Sequence, residues 1–190
     1  MKLASLLAVI PLVVLVLVLI LFKWGGYMDA FLLRAAERGD LSSVKRLLFI
    51  GADANCRDQH DRTPLMLAAK NGYSNVAEAL IDSGADVNAK EKAFQTPPLM
   101  YAVTAGDLAS AAILLERGAD VDSVASGGRT ALMDAVWVGR ADIVKILIGK
   151  GVDVNAVNQE RRSVFEIARY KGNAKIIAIL EKAGAKGIKR

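Results

Sequence analysis

The residues of this chain that could do chemistry are few and close together: Cys56, Asp58, His60 and Asp61. His60 is the one histidine and Cys56 the one cysteine, so any acid–base, thiolate or metal chemistry would have to be assembled around them. A structural zinc site takes four ligands of the Cys and His type at short spacings. This set falls short of that spacing, and His60 falls at an expected loop tip, so the group reads as a solvated loop. A lone cysteine cannot close an intrachain disulfide and reads as a small packed side chain. A second carboxylate series, Asp53, Asp86, Asp120 and Asp153, recurs at intervals of 33, 34 and 33 residues. Its members occupy the same place in each unit of a repeat, about 10 Å apart in a stack, which suits local turn capping rather than a shared site. The glycines are single and periodic, so no loop cradles a phosphate. No catalytic residue, cofactor or metal site is expected, and the chain does not read as an enzyme.

The elements that would position these residues are written in the same period. Gly39, Gly72, Gly106, Gly139 and Gly172 recur at 33, 34, 33 and 33 residues. The phrase Gly51-Ala-Asp-Ala-Asn55 returns as Gly84-Ala-Asp-Val-Asn88, Gly118-Ala-Asp-Val-Asp122 and Gly151-Val-Asp-Val-Asn155 at the same intervals. Thr63, Thr130 and Ser163 carry the hydroxyl that caps a helix start, and Pro64 follows at the first helical position, where a missing N–H costs nothing. Each following glycine can close the helix in the left-handed conformation, which limits it to about two turns. Asp40, Asp107 and Asn173 can cap a second helix, whose apolar side carries Leu47-Leu48, Leu80-Ile81, Leu114-Leu115, Leu147-Ile148 and Ile179-Leu180. Helices so short are marginal alone and must be stabilised by their neighbours. The small residues Ala35, Ala68, Ala102, Ala135 and Ala168 permit that close stacking.

Between the markers lie Thr63-Pro-Leu-Met-Leu-Ala-Ala69, Pro97-Pro-Leu-Met-Tyr-Ala-Val103, Thr130-Ala-Leu-Met-Asp-Ala-Val136 and Ser163-Val-Phe-Glu-Ile-Ala-Arg169. In motif, order and period the chain resembles the ankyrin repeat family over about residues 29–185. The resemblance implies an all-α solenoid of five stacked helix-turn-helix units, about 29–62, 63–95, 96–129, 130–162 and 163–190, and a role in protein–protein interaction. Three departures stand out. Met66, Met100 and Met133 replace the family's histidine, which puts packing where hydrogen bonds are usual. The loop from Lys90 to Gln95 holds an extra residue ahead of Pro97-Pro98 and should project Phe94. Asp61 and Arg161 stand where a turn expects glycine, as at Gly128, and should be mildly strained.

Ankyrin stacks bind through their loop fingers and the concave side of their first helices, and the resemblance carries those positions over unit by unit. The fingers offer Arg57, Gln59 and His60, then Lys90, Lys92 and Phe94, then Val124 and Ser126, then Asn158 and Arg161. The first helices offer Lys70 and Asn71, Thr104 and Ala105, Trp137 and Val138, and Tyr170 and Lys171, with Tyr101 and Asp134 just upstream. Trp137 is the sharpest of these. It reads either as an aromatic anchor for a partner, flanked by Tyr101 and Tyr170, or as a ring packed against Val103 or Val138.

The N-terminus adds a different element. With 53% apolar residues and a mean hydropathy of +0.31, the chain is greasier than a small soluble domain. The excess lies in Leu3 to Phe22, whose 20 residues are interrupted by Ser5 and Pro11. As a helix they would span about 30 Å, one hydrocarbon core. An uncleaved anchor over residues 1–28 is the expectation, with Trp24 and Tyr27 as interfacial aromatics. A cleaved signal is the alternative, disfavoured by the length and by the bulky residues Phe22, Lys23 and Trp24. The two-residue tail resembles a bacterial signal anchor that leaves the stack outside the cytoplasm. Residues 160–190 hold nine Lys or Arg and three Asp or Glu, against +5 for the whole chain. That basic last unit suits a solubilising cap, or weak contact with an acidic protein or anionic lipid. Nucleic acid is not expected, since no nucleic-acid-binding motif accompanies the charge.

Overall fold

A computed structural model of the chain describes residues 26–187. Within them the chain forms five antiparallel helix pairs. The first is α1, helical over 26–38, with α2 (Leu41–Phe49); the second is α3 (Pro64–Lys70) with α4 (Ser74–Asp82). Then come α5 (Pro98–Ala105) with α6 (Leu108–Glu116), α7 (Ala131–Val138) with α8 (Ala141–Gly149), and α9 (Val164–Lys171) with α10 (Ala174–Lys182). The first helices pack in one layer, α3 on α5 on α7 on α9, and the second helices in another, α2 on α4 on α6 on α8 on α10. The all-α repeat architecture is therefore as expected. The one sheet among the described residues is a two-stranded turn, β1 (Val124–Ala125) against β2 (Arg129–Thr130), antiparallel with Val124 opposite Thr130.

The caps read from the sequence do their work. Thr63, Thr130 and Ser163 each accept a hydrogen bond from the third N–H of the following helix, and Asp40, Asp107 and Asn173 accept at the second helices. Gly39, Gly72, Gly106, Gly139 and Gly172 all hold positive φ, and the five stacking alanines are buried. One continuous apolar core runs the length of the stack, with Leu32, Leu65, Leu99 and Leu132 at the same place in successive first helices and half-buried Phe165 packed at that place in the fifth. Among the described residues no helix is long and apolar enough to cross a membrane. The expected anchor, residues 3–22, lies outside them, as do Lys189 and Arg190.

The methionine departure turns out differently in detail. At Met66 the side chain keeps a hydrogen bond: the Thr63 N–H donates to Met66 Sδ at 3.4 Å while Met66 N–H donates to Thr63 Oγ1 at 3.3 Å. The thioether closes a reciprocal cap as a weak acceptor.

The turns between units are tied together by a ladder that the sequence pattern only half announced. In each, an aspartate caps its own turn: Asp53 Oδ1 accepts from Asn55 N–H, Asp86 from Asn88, Asp120 from Asp122 and Asp153 from Asn155. The residue at the turn's end then reaches the next unit. Asn55 accepts from Asp86 N–H and donates to the Gly84 carbonyl, and Asn88 does the same with Asp120 and Gly118. Asp122 accepts from Asp153 N–H at 2.8 Å, but a carboxylate has no hydrogen to give the Gly151 carbonyl. Asp122→Asn should therefore complete the ladder and stabilise the stack by about 0.5–1 kcal/mol, read as a higher urea midpoint; an unchanged or lower midpoint would refute this.

Every finger holds positive φ at the equivalent place, Asp61, Gln95, Gly128 and Arg161, and the third holds it at Gly127 as well. The strain expected at Asp61 and Arg161 is present, and only the third finger relieves it with glycine. Gly128 also lies against the next finger: a Cβ there would sit 3.0 Å from Gln159 N and 3.1 Å from Asn158 Cα. Gly128→Ala combines an unfavourable φ with a backbone clash and should cost about 1–2 kcal/mol, seen as a lowered Tm.

Candidate partner-binding groove

The fingers are mostly self-satisfied. Asp58 accepts from the backbone N–H groups of His60 and Arg62 and pairs with the Arg62 guanidinium at 2.7 Å. Burial works against its ionisation, but the Arg62 side chain and these N–H groups hold the carboxyl below its ordinary value. Asp61 pairs with Arg57 at 2.8 Å, and Arg57 also donates to the Lys90 carbonyl. Cys56 is buried beside Asp29, whose carbonyl accepts its thiol at 3.7 Å. Burial, and then the Asp29 and Asp53 carboxylates, push that thiol up to about 12. Among the described residues no group of three or more His, Cys, Asp or Glu is placed to hold a metal.

The extra residue in the second finger has a structural employer the sequence did not reveal. Glu91 is buried at 2% exposure, and its carboxylate accepts from the N–H groups of Ala93, Phe94 and Thr96 at 2.6, 2.8 and 3.2 Å. It folds the longer loop around itself and leaves Phe94 projecting at 66% exposure. Lys90, expected as a partner contact, instead reaches the next finger and donates to the Val124 carbonyl at 2.9 Å.

The concave positions divide in two. Lys70, Asn71, Thr104, Trp137, Val138, Tyr170 and Lys171 are exposed, as are Arg57, Gln59 and His60 in the first finger. Asn71 is nonetheless occupied, donating to the Glu37 and Leu67 carbonyls across two units. The row just upstream is covered: Leu67, Asp134 and Ile167 are buried and Tyr101 is half-buried. Asp134 is therefore not a surface contact. Its carboxylate faces Arg129 Nε at 3.5 Å.

Trp137 and Tyr170 make the most pronounced feature of this face. Their rings, in adjacent units, stack with centroids 6.3 Å apart and planes 11° from parallel. Lys171 places its ammonium 4.4 Å from the Trp137 ring centroid. Trp137 is still half exposed, so stacking orders the ring without hiding it. Beside the pair an open groove of about 890 Å³ is lined by Phe165, Arg161, Arg162, Arg169, Glu160 and Glu166. Glu166 is committed to the cap on Ser163, and Glu160 to Arg162 at 3.3 Å. Arg161 and Arg169 form no ion pair with any described residue. The groove thus offers aromatic faces rimmed by free positive charge.

Comparison with known proteins decides the family. The model of ankyrin repeats, in three copies, matches residues 32–125 and 98–158. The chain belongs to the ankyrin repeat family. It is similar to an ankyrin repeat protein of Rickettsia felis, 41% identical over 56 residues, which cover 27% of this chain and 85% of that relative. Ankyrin repeats indicate a protein–protein interaction module.

Proposed function

We propose that this ankyrin protein is a non-catalytic, membrane-tethered scaffold that captures a protein partner in the groove beside Trp137 and Tyr170. The observation that carries the reading is the stacked, half-exposed aromatic pair, pre-ordered by Lys171 and rimmed by Arg161 and Arg169. Ordering a large ring before binding lowers the entropy lost on association, and aromatic and arginine side chains dominate interface energetics. Such a rim suits a partner segment that carries acidic residues next to an apolar side chain. Residues 3–22 would hold the stack at a bacterial inner membrane, outside the cytoplasm.

A photo-crosslinking residue at Tyr170 in the full-length chain, expressed in cells, tests the capture. One dominant protein adduct is expected, depleted by raised salt as exposed charges are screened. Adducts no more specific than those from the same probe at Lys145 on exposed α8 would refute the groove. A carboxyl-terminal topology reporter tests the tether's direction, and activity confined to the cytoplasm would overturn the placement.

A further inference from the structure

The four inner and C-terminal units end their second helices in polar or small residues: Asp82-Ser83, Glu116-Arg117, Gly149-Lys150 and Lys182-Ala183, each ahead of a glycine. The first unit has Phe49-Ile50 at that place, 91% and 58% exposed. No packing need explains them, since the turn closes as in the other units, through Gly51 N–H to the Leu48 carbonyl and Ala52 N–H to the Leu47 carbonyl. Two large apolar side chains stand in water where the same turn elsewhere carries charge.

What lies nearby is fixed by the helix pair. Because α1 and α2 run antiparallel, the end of α2 lies at the beginning of α1. The contacts agree: Asp29, in the first turns of α1, accepts from Asp53 N–H at 3.0 Å and from the Cys56 thiol, just beyond the Phe49-Ile50 turn. Tyr27 and Phe31, on the same stretch of α1, are exposed at 64% and 58%. Gly26 follows the apolar segment 3–22 after Lys23, Trp24 and Gly25. Even fully extended, that connection spans only about 14 Å, so this end of the first unit stays close to wherever the segment ends.

We infer that the Phe49-Ile50 turn, with Tyr27 at the same end of the helix pair, is a second membrane contact that seats the first repeat in the headgroup region of the bilayer. The inference rests on the tether proposed above, which brings this end to the surface. Aromatic side chains are favoured at that level, where a polar backbone turn remains hydrated while the ring is buried. A single point of attachment would leave the orientation of the stack unset. Two contacts on one helix pair fix which way it faces and hold the groove of the fourth and fifth units away from lipid.

The test compares matched cysteines in the full chain, reconstituted in phosphatidylcholine vesicles. Phe49→Cys and Phe94→Cys each replace an exposed phenylalanine and are labelled with a polarity-sensitive thiol fluorophore; buried Cys56 stays protonated and unlabelled. On reconstitution the label at 49 is expected to shift to shorter wavelength and to be quenched by nitroxide-bearing lipids, while the label at 94 does neither. Identical behaviour of the two labels in vesicles that keep the chain through an alkaline wash would overturn the inference and leave the tether standing. A shift at 49 without lipid quenching would also overturn it, since another protein surface would then cover the turn. A chain stripped by the wash would refute the tether, and the second contact with it.

Discussion

Trp137→Ala is expected to weaken capture of the partner by about 2 kcal/mol or more, roughly thirtyfold in affinity, while leaving the fold in place. The asymmetry follows from where the ring sits. Half of it faces solvent, so its loss takes only the buried half of the ring from the folded state and should lower stability by about 1–2 kcal/mol. A partner would cover the remaining half together with Tyr170 and the arginine rim, so binding loses the whole exposed face and the ordered stack. Tyr170→Ala should lower affinity less on its own, and the double variant should reveal a coupling of about 0.5–1.5 kcal/mol from the stacked geometry. Titrating the protein recovered by crosslinking against each variant, alongside urea unfolding, separates the two effects. Equal affinity for Trp137→Ala, or a collapse of its unfolding midpoint, would sink the assignment of this pair as the anchor.

The parts of this molecule that were legible in sequence are those set by local chemistry. A hydroxyl before Pro64, a glycine after the last turn and an aspartate ahead of a second helix each satisfy backbone groups within a few residues, so their roles can be read in one dimension. Trp137 was legible for the same reason: the period placed it two residues before a closing glycine, where first helices face outward. Asp134 was misplaced because exposure one turn earlier depends on the neighbouring finger, and Arg129 belongs to that finger. Lys90 and Asn71 are long or forked polar side chains on an exposed face. Nothing in their spacing distinguishes a side chain waiting for a partner from one already bonded to the next unit. Glu91 was invisible because its three partners are backbone N–H groups of an irregular loop. The ladder from Asn55 and Asn88 was half legible: the local cap could be read, the reach into the following unit could not.

Asp134 yields the second large effect. Burial at 7% exposure pushes its carboxyl up to about 6, partly offset by Arg129, and its Oδ2 has no hydrogen-bond partner among the described residues. In the unfolded chain the same group ionises near its ordinary value of about 4. Below that value both states hold the proton and the residue is neutral in the balance. As pH rises through the interval from about 4 to 6, the unfolded chain releases its proton first, so the native state loses stability. The loss reaches about 2–3 kcal/mol and is complete above about pH 6. Asp142 acts oppositely but elsewhere. The Arg140 hydrogen bond holds it at about 2, so its contribution fades as pH falls below 4, outside the window. Asp134→Asn keeps the shape and removes the ionisation. The difference in unfolding free energy between variant and parent should therefore grow in the variant's favour from pH 4 to pH 6 and then stay level. A difference that is flat across that range, or that grows in the parent's favour, would show that Arg129 stabilises the carboxylate enough to cancel its burial. Asp134 and Trp137 are three residues apart on α7, one turn along the same face. A charge created beneath that face therefore reaches the aromatic pair through a single packed turn, and partner affinity measured across the same pH interval should show a step that Asp134→Asn abolishes.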